Sequence, residues 1–337
     1  MKHLKYSDVA LVPNYSEVHS RVDCSTSVRL GDKKFKLPIV PANMKSVINM
    51  DLARWMSANQ YFYIMHRFDR DLLEDVKLAN LKDWQNISFS TGAKMKDKMQ
   101  VMNIGKNPDL RVDFLTVDIA HGHSERMKVM ISHIKKWLPH TKIIAGNVAT
   151  TQAVSDLVSW GADIVKVGIG QGSPCTTKDK TGFTIPMFSC VQECANAYFN
   201  LEDGFSMIKS SMQEDYDLPQ KATIIADGGV KHNGDIAKAL SVGATMVMAG
   251  GIFASCSDSP AISGSINESP YKAYFGSASS ENKGHTNNVE GKLIHIPLSN
   301  MTYEEKLNEI EQDLQSSISY SGGSNLSSLN DAKYIEV

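Results

Sequence analysis

Apolar residues gather in eight short runs along the chain, at residues 38–41, 62–65, 87–90, 114–117, 142–145, 164–167, 223–226 and 246–249. Each run is followed by a polar or glycine-bearing turn and then by a stretch with helical character, such as 124–137 or 151–160. Strand, turn and helix repeated eight times predict an α/β fold, and specifically a closed (β/α)8 TIM barrel. An internal echo supports the repeat. Ser159-Trp160-Gly161-Ala162-Asp163-Ile164-Val165-Lys166-Val167-Gly168 and Ser241-Val242-Gly243-Ala244-Thr245-Met246-Val247-Met248-Ala249-Gly250 share one order of features: helix end, Gly-Ala, strand, glycine turn.

Three stretches depart from this rhythm. Residues 199–220, rich in Glu, Asp, Ser and Met, are expected to be an insertion between the sixth helix and the seventh strand, an exposed helical elaboration with no sign of a ligand. Leu307, Ile310 and Leu314 repeat at helical spacing in a charged segment and predict an amphipathic helix packed on the barrel or on a neighbour. Residues 321–328, mostly Ser and Gly, are expected to form a mobile polar tail. Residues 1–337 are thus read as one barrel domain.

Composition narrows the setting. The 337 residues are 42% hydrophobic, enough for a large core, and the formal charge of −2 predicts neither a nucleic-acid nor a membrane role. No run is long enough to span a bilayer, and the start lacks the apolar core of a signal peptide, so a cytoplasmic protein is expected. The five cysteines, Cys24, Cys175, Cys190, Cys194 and Cys256, are odd in number and scattered, as reduced thiols are. Cys190 and Cys194 have no second pair and no histidines at ligand spacing, so they do not read as a metal site.

In a barrel of this kind, chemistry sits on the loops that leave the C-terminal ends of the strands. Those loops carry Asn43, His66-Arg67, Asp118-Ile119-Ala120-His121-Gly122, Gly146-Asn147, Asp227-Gly228-Gly229 and Gly250-Gly251. After the sixth run comes Gly168-Ile169-Gly170-Gln171-Gly172-Ser173-Pro174-Cys175-Thr176-Thr177, a cysteine in a glycine-rich turn flanked by hydroxyls. Glycines let backbone approach a ligand closely, and N–H groups aimed into such a loop favour a thiolate. On these residues alone, a ligand-facing nucleophile and a turn around a small buried thiol are equally good readings. Glycine turns after the seventh and eighth strands commonly hold a phosphate, with Asp227 placed to accept both hydroxyls of a ribose; tight turns alone are the other reading. Taken together with the cysteine, a ribose phosphate carrying an electrophilic base is the better account.

The cysteine loop, Ala226-Asp227-Gly228-Gly229, Met248-Ala249-Gly250-Gly251, Tyr274-Phe275-Gly276-Ser277-Ala278-Ser279, Val289-Glu290-Gly291-Lys292, the opening Tyr6-Ser7-Asp8-Val9-Ala10-Leu11-Val12-Pro13 and Ala145-Gly146-Asn147-Val148 resemble the IMP dehydrogenase and GMP reductase superfamily. The resemblance runs in order from about residue 5 to about residue 325. It is nearest the short bacterial reductase branch. No regulatory domain fits between Phe68 and Asn86, and Ser280 to Val289 holds neither arginine nor tyrosine, whereas the dehydrogenases place there a long flap whose Arg-Tyr pair activates water.

This resemblance implies that Cys175 attacks C2 of GMP as a thiolate, ammonia leaves a covalent purinyl thioimidate, and NADPH delivers hydride to release IMP. Thr177 and Glu290 would protonate the departing amine. Ser173, Asp227, Gly228, Gly229, Gly250 and Gly251 would hold the ribose phosphate, and Ser277, Ala278, Glu290 and Gly291 would meet the base. The cofactor would lie across Asp118, Ile119, Ala120, Ile169 and Gly170, bordered by Ser277, with Arg67 near a phosphate. Ser20 and Arg21, with Ser316 and Ser317, would take its adenosine end across a subunit boundary of a homotetramer. Carbonyls of Gly170, Gly172 and Cys175 would hold a monovalent cation such as K⁺. Gln171 replaces a usual proline and Asn287 a usual arginine, which puts loop rigidity and part of the polar contact set in question. An IMP dehydrogenase without its regulatory domain, a flavin-dependent barrel oxidoreductase and a catalytically silent nucleotide-binding subunit remain alternatives.

Overall fold

A computed structural model describes residues 2–199, 220–284 and 287–337. Seven of the eight expected strands form one parallel sheet in the order Ile39–Pro41, Met246–Ala249, Ile224–Asp227, Ile164–Val167, Lys142–Val148, Phe114–Asp118, Ser88–Thr91. The strands are buried along nearly their whole length, as expected where helices cover the outer face and side chains fill the interior.

The segment at 62–65 occupies the second barrel position without becoming a regular strand. It makes a single bridge, Met65 to Phe89, with Met65 N–H donating to the Ser88 carbonyl at 3.1 Å and Ser90 N–H to the Met65 carbonyl at 2.9 Å. Side chains hold it in place. Phe62 packs between Phe35 at 5.0 Å and Phe114 at 5.1 Å, and the Tyr63 hydroxyl donates to the Asn86 carbonyl at 2.6 Å. Phe114 begins its strand, so this aromatic cluster fills the N-terminal end of the barrel and leaves the C-terminal end for a cavity.

The covering helices follow from their own sequences. Ser124 precedes the helix Glu125–Trp137, which buries Met127, Met130, Ile131 and Ile134 at three- and four-residue spacing and carries Lys135 and Lys136 in its last turn, where cations suit the helix dipole. Thr150 caps Thr151–Ser159 by accepting the Ala153 N–H, and Ala153, Val154 and Leu157 are its buried face. The helix expected around Leu307, Ile310 and Leu314 runs Tyr303–Tyr320, buries those three and Ile318, and starts at a Thr302/Glu305 capping box. Between Phe68 and Asn86 the chain holds only the helix Leu72–Leu81 and its connections.

Two expectations need correction or restriction. Residues 321–328 are tied into the fold: the Ser25 N–H donates to the Ser324 carbonyl at 2.8 Å, Ser321 and Ser328 hydroxyls lie 2.6 Å apart, and beyond them Tyr334–Glu336 pairs antiparallel with Val9–Leu11. Backbone polar groups there are satisfied by neighbours, so Ser and Gly content alone misled. The insertion expected at 199–220 lies outside the described residues except for its flanks, Tyr198–Phe199 and Gln220–Lys221, which pair antiparallel.

After the eighth strand, the one-turn helix Gly251–Ala254 leads to a three-stranded antiparallel sheet, Ile262–Ile266, Ser269–Phe275 and Leu293–Pro297. Buried Lys272 anchors its root, donating to the carbonyls of Ser257, Ser259 and Ala261 at 3.1, 3.2 and 3.1 Å. Burial lowers the pKa of this ammonium, with Asp258 opposing the shift. The far end of the sheet reaches back over the barrel mouth. Among the described residues, no helix is long and apolar enough to cross a membrane.

Candidate active site

The sixth strand, Ile164–Val167, delivers the chain into the cysteine loop through Gly168. Gly168 has φ of +133°, and a Cβ there would stand 2.1 Å from the Asp227 carbonyl oxygen, so only glycine lets the loops after the sixth and seventh strands touch. Gln171, in place of proline, holds its loop by another means. Its amide donates to the Thr184 hydroxyl at 2.6 Å, and Thr184 donates in turn to the Ile169 carbonyl at 2.9 Å.

The three-stranded sheet supplies the opposite wall. Cys175 and Gly291 form an antiparallel bridge, with Thr176 N–H donating to the Glu290 carbonyl at 2.9 Å and Lys292 N–H to the Pro174 carbonyl at 2.9 Å. Glu290 N–H donates to the Ala278 carbonyl at 3.0 Å, and Lys180 Nζ to the Val289 carbonyl at 2.6 Å. This stitching places side chains 113 positions apart in sequence in direct contact. The Cys175 thiol donates to Thr177 Oγ1 at 3.2 Å, and the Thr177 hydroxyl donates to Glu290 Oε2 at 2.7 Å. Sulfur, hydroxyl and carboxylate thus form a continuous path for a proton, with Cys175 only partly buried.

The inner floor is charged. Lys166, on the sixth strand, is 2% exposed and lies 3.1 Å from Asp118 Oδ1 and 2.9 Å from Asp227 Oδ2. Asn147 Nδ2 also donates to Asp227 Oδ2 at 2.8 Å and to the Gly168 carbonyl at 2.8 Å. Burial by itself would raise the Asp118 pKa, but the Lys166 ammonium and, more remotely, the Arg67 guanidinium hold it below the usual carboxylate range. Burial likewise works against the Lys166 charge, and the two carboxylates overcome it and raise its pKa. His66 is pushed down to about 4 by burial and by the cations Arg70 and Lys45, which leaves it neutral near pH 7 and unsuited as a proton donor there.

Relay and floor face one cavity of about 900 Å³. Of the expected catalytic and substrate residues, Cys175, Thr177, Glu290, Ser173, Asp227, Gly228, Gly229, Gly250, Gly251, Ser277 and Ala278 all line it. Gly291 stands behind them, in the bridge to Cys175. The expected cofactor residues Arg67, Asp118, Ile119, Ala120, Ile169 and Gly170 line the same cavity, and Arg67 Nε is buried without a partner among the described residues. Ser20, Arg21, Ser316 and Ser317 do not line it. Arg21 instead donates to the Ser316 hydroxyl at 3.2 Å and to the Tyr320 hydroxyl at 3.1 Å, and Ser317 borders a second, apolar cavity of about 440 Å³. Tyr274 closes the eighth-strand side: a Cβ at Gly250 would meet its hydroxyl at 2.0 Å.

A match to the IMP dehydrogenase / GMP reductase domain covers residues 3–337. The chain belongs to the IMP dehydrogenase and GMP reductase family. Curated relatives include the GMP reductase of Leptothrix cholodnii, 42% identical over 99% of this chain and 96% of the relative, and that of Staphylococcus carnosus, 43% identical over 100% and 97%. The GMP reductase of Staphylococcus epidermidis is 42% identical over 100% and 97%. Family membership agrees with the barrel and with the motifs read from the sequence.

Sequence reasoning missed several cavity residues. Lys166 sat unremarked in an apolar strand, although a lysine inside Ile164-Val165-Lys166-Val167 was itself a signal that a buried partner charge must exist. Asn147 comes just after the apolar run at 142–145, and nothing in the sequence around it assigns it a role. Lys94, Lys96 and Arg126 also line the cavity and carry no motif that marks them.

Proposed function

We propose that this chain is a GMP reductase: it converts GMP to IMP and ammonia at the expense of NADPH, in the interconversion and salvage of purine nucleotides. The hydrogen-bonded path from Cys175 through Thr177 to Glu290, facing a cavity with a carboxylate floor, carries this reading.

Cys175 loses its proton along the path to Glu290, and its sulfur adds to C2 of the guanine. An amide anion is a very poor leaving group, so the amine must leave protonated; the proton taken from the thiol returns through Thr177 to that nitrogen. A carbon–sulfur bond forms as the carbon–nitrogen bond breaks, leaving a purinyl thioimidate on Cys175 and free ammonia. NADPH, when bound, supplies the hydride that C2 needs, after which the carbon–sulfur bond breaks to give IMP and the thiolate.

Asp227 accepts ribose hydroxyls of GMP, and the N–H groups at Gly228, Gly229, Gly250 and Gly251 meet its phosphate with Ser173. The first N–H groups of the helix Gly251–Ala254 have no intrahelical acceptors, which suits an anion. Ser277, Ala278 and Gly291 border the base. Asp118, Ile119, Ala120, Ile169 and Gly170 receive the nicotinamide end, and the unpartnered Arg67 Nε, with Lys94, Lys96 and Arg126 at the same cavity, fits the polyphosphate of NADPH. Ser20, Arg21, Ser316 and Ser317 lie apart from the cavity of their own chain, so their part in binding adenosine requires the neighbouring subunit of a homotetramer. A potassium ion at Gly170, Gly172 and Cys175 takes no part in these steps; the Gly172 carbonyl already accepts the Cys175 N–H at 3.0 Å. We place the enzyme in the cytoplasm, as a barrel with no regulatory domain inserted between Phe68 and Asn86.

A dehydrogenase would need a water-activating flap between Ser280 and Val289. That stretch contains no arginine or tyrosine. The test is a substrate-pair assay at 340 nm. GMP with NADPH is expected to consume cofactor and release one ammonia per cofactor oxidised, whereas conversion of IMP with NAD⁺ to XMP would overturn the reading.

A further inference from the structure

We propose that Lys166 is a positioning residue that holds Asp118 and Asp227 as paired acceptors, so that the ribose of the substrate and the ribose of the cofactor depend on one buried ammonium. The inference rests on the function proposed above, which puts the ribose of GMP at Asp227 and the nicotinamide end of the cofactor, ribose included, at Asp118. Its own foundation is geometric. Lys166 is among the largest fully buried side chains of the barrel, and its ammonium contacts Asp118 on the fourth strand and Asp227 on the seventh from its own place on the sixth. Its remaining neighbours are Asn43 Oδ1 at 3.3 Å and the Met248 sulfur at 3.6 Å, so the two carboxylates are its only ionic partners among the described residues.

A structural ion pair needs one carboxylate. Here two are brought to one cation, each at the C-terminal end of its strand, each lining the cavity, and on the two sides assigned to different ligands. Lys166 and Asn147 both bond Oδ2 of Asp227, while Oδ1 has no hydrogen-bond partner among the described residues. That fixes the carboxylate plane and leaves an acceptor for a hydroxyl. Without the ammonium, two partly buried carboxylates would be left side by side, and one would take up a proton to relieve the repulsion. A protonated carboxyl offers a donor where a diol needs acceptors, and the carboxylate left ionised loses the ammonium that holds it in place, so both riboses are affected by one substitution.

The experiment compares Lys166→Met with the parent enzyme, using GMP, 2′-deoxy-GMP and NADPH as probes. Calorimetry gives the affinities, steady-state kinetics the KM and kcat, and thermal unfolding the stability. Expected is a loss of about tenfold or more in affinity for both GMP and NADPH. Turnover at saturation is expected to stay within about threefold, since no step of the chemistry passes through Lys166. The preference for GMP over 2′-deoxy-GMP is expected to collapse towards unity in the variant, which loss of packing alone would not produce. Lys166→Arg retains the charge, provides a second variant should Lys166→Met fail to fold, and is expected to keep that preference. Unchanged constants for both ligands would overturn the inference, as would a loss confined to one ligand or a deoxy preference that survives in Lys166→Met. Failure of the parent enzyme to turn over GMP with NADPH would strike the proposed function instead; parent turnover with unaltered variant binding strikes this inference alone.

Discussion

The two walls of the cavity do different work with similar atoms. One wall joins the cysteine loop to the three-stranded sheet and presents a thiol, a hydroxyl and a carboxylate in a row, at 3.2 and 2.7 Å, with no cation in the chain of bonds. The other wall is the barrel itself, where Lys166 fixes Asp118 and Asp227 at 3.1 and 2.9 Å. In the first, hydrogen bonds link groups that can exchange protons; in the second, a buried ammonium holds two carboxylates in place. On the proposed function a carboxylate is therefore read by its partners: Glu290 beside a hydroxyl would move a proton, and Asp227 beside an ammonium would accept hydroxyls.

This division predicts different kinetic signatures. Removing the nucleophile has the largest effect: Cys175→Ala is expected to abolish GMP-dependent oxidation of NADPH while GMP still binds, as calorimetry would register. If turnover persists, the sulfur is not the nucleophile. Glu290→Gln keeps shape and bonding capacity but cannot carry the proton, so kcat should fall about 10²- to 10⁴-fold with little change in KM. Asp227→Asn belongs to the opposite wall and should reverse the pattern, raising KM for GMP by roughly 10- to 100-fold with kcat nearly intact. The smallest effect on turnover is expected from Lys272→Met, at the root of the sheet that carries Glu290. Three carbonyls lose their donor there, so stability should fall by about 2 to 4 kcal/mol in thermal unfolding while KM for GMP is unchanged.

The same two walls explain what the sequence could tell. Eight apolar runs were enough for the barrel, because a four-residue run between turns has few other uses in an α/β chain. Even so, 62–65 met the strand pattern and made only one bridge, since aromatic packing by Phe35 and Phe114, invisible to periodicity, sets its position. Cys175 stood out because cysteine among glycines is unusual, and Glu290 because a motif surrounds it. The bond that links them, from Thr177 to Glu290 across 113 positions, is a product of tertiary structure, through the bridge between Cys175 and Gly291. Lys166 has no motif of its own, and its meaning appears only when Asp118 and Asp227, from strands far apart in sequence, arrive beside it. The tail at 321–328 fails for a related reason: Ser and Gly content predicts freedom, and the bonds that remove it come from Ser25 near the other terminus.

The most direct test of the proton path is the single-turnover rate of Glu290→Gln at saturating GMP and NADPH, taken with its GMP affinity from calorimetry on the same preparation. The account predicts a rate at least about 100-fold below that of the parent enzyme and an affinity within about threefold of it. An unchanged rate, or a slow rate explained by lost GMP binding, would contradict it.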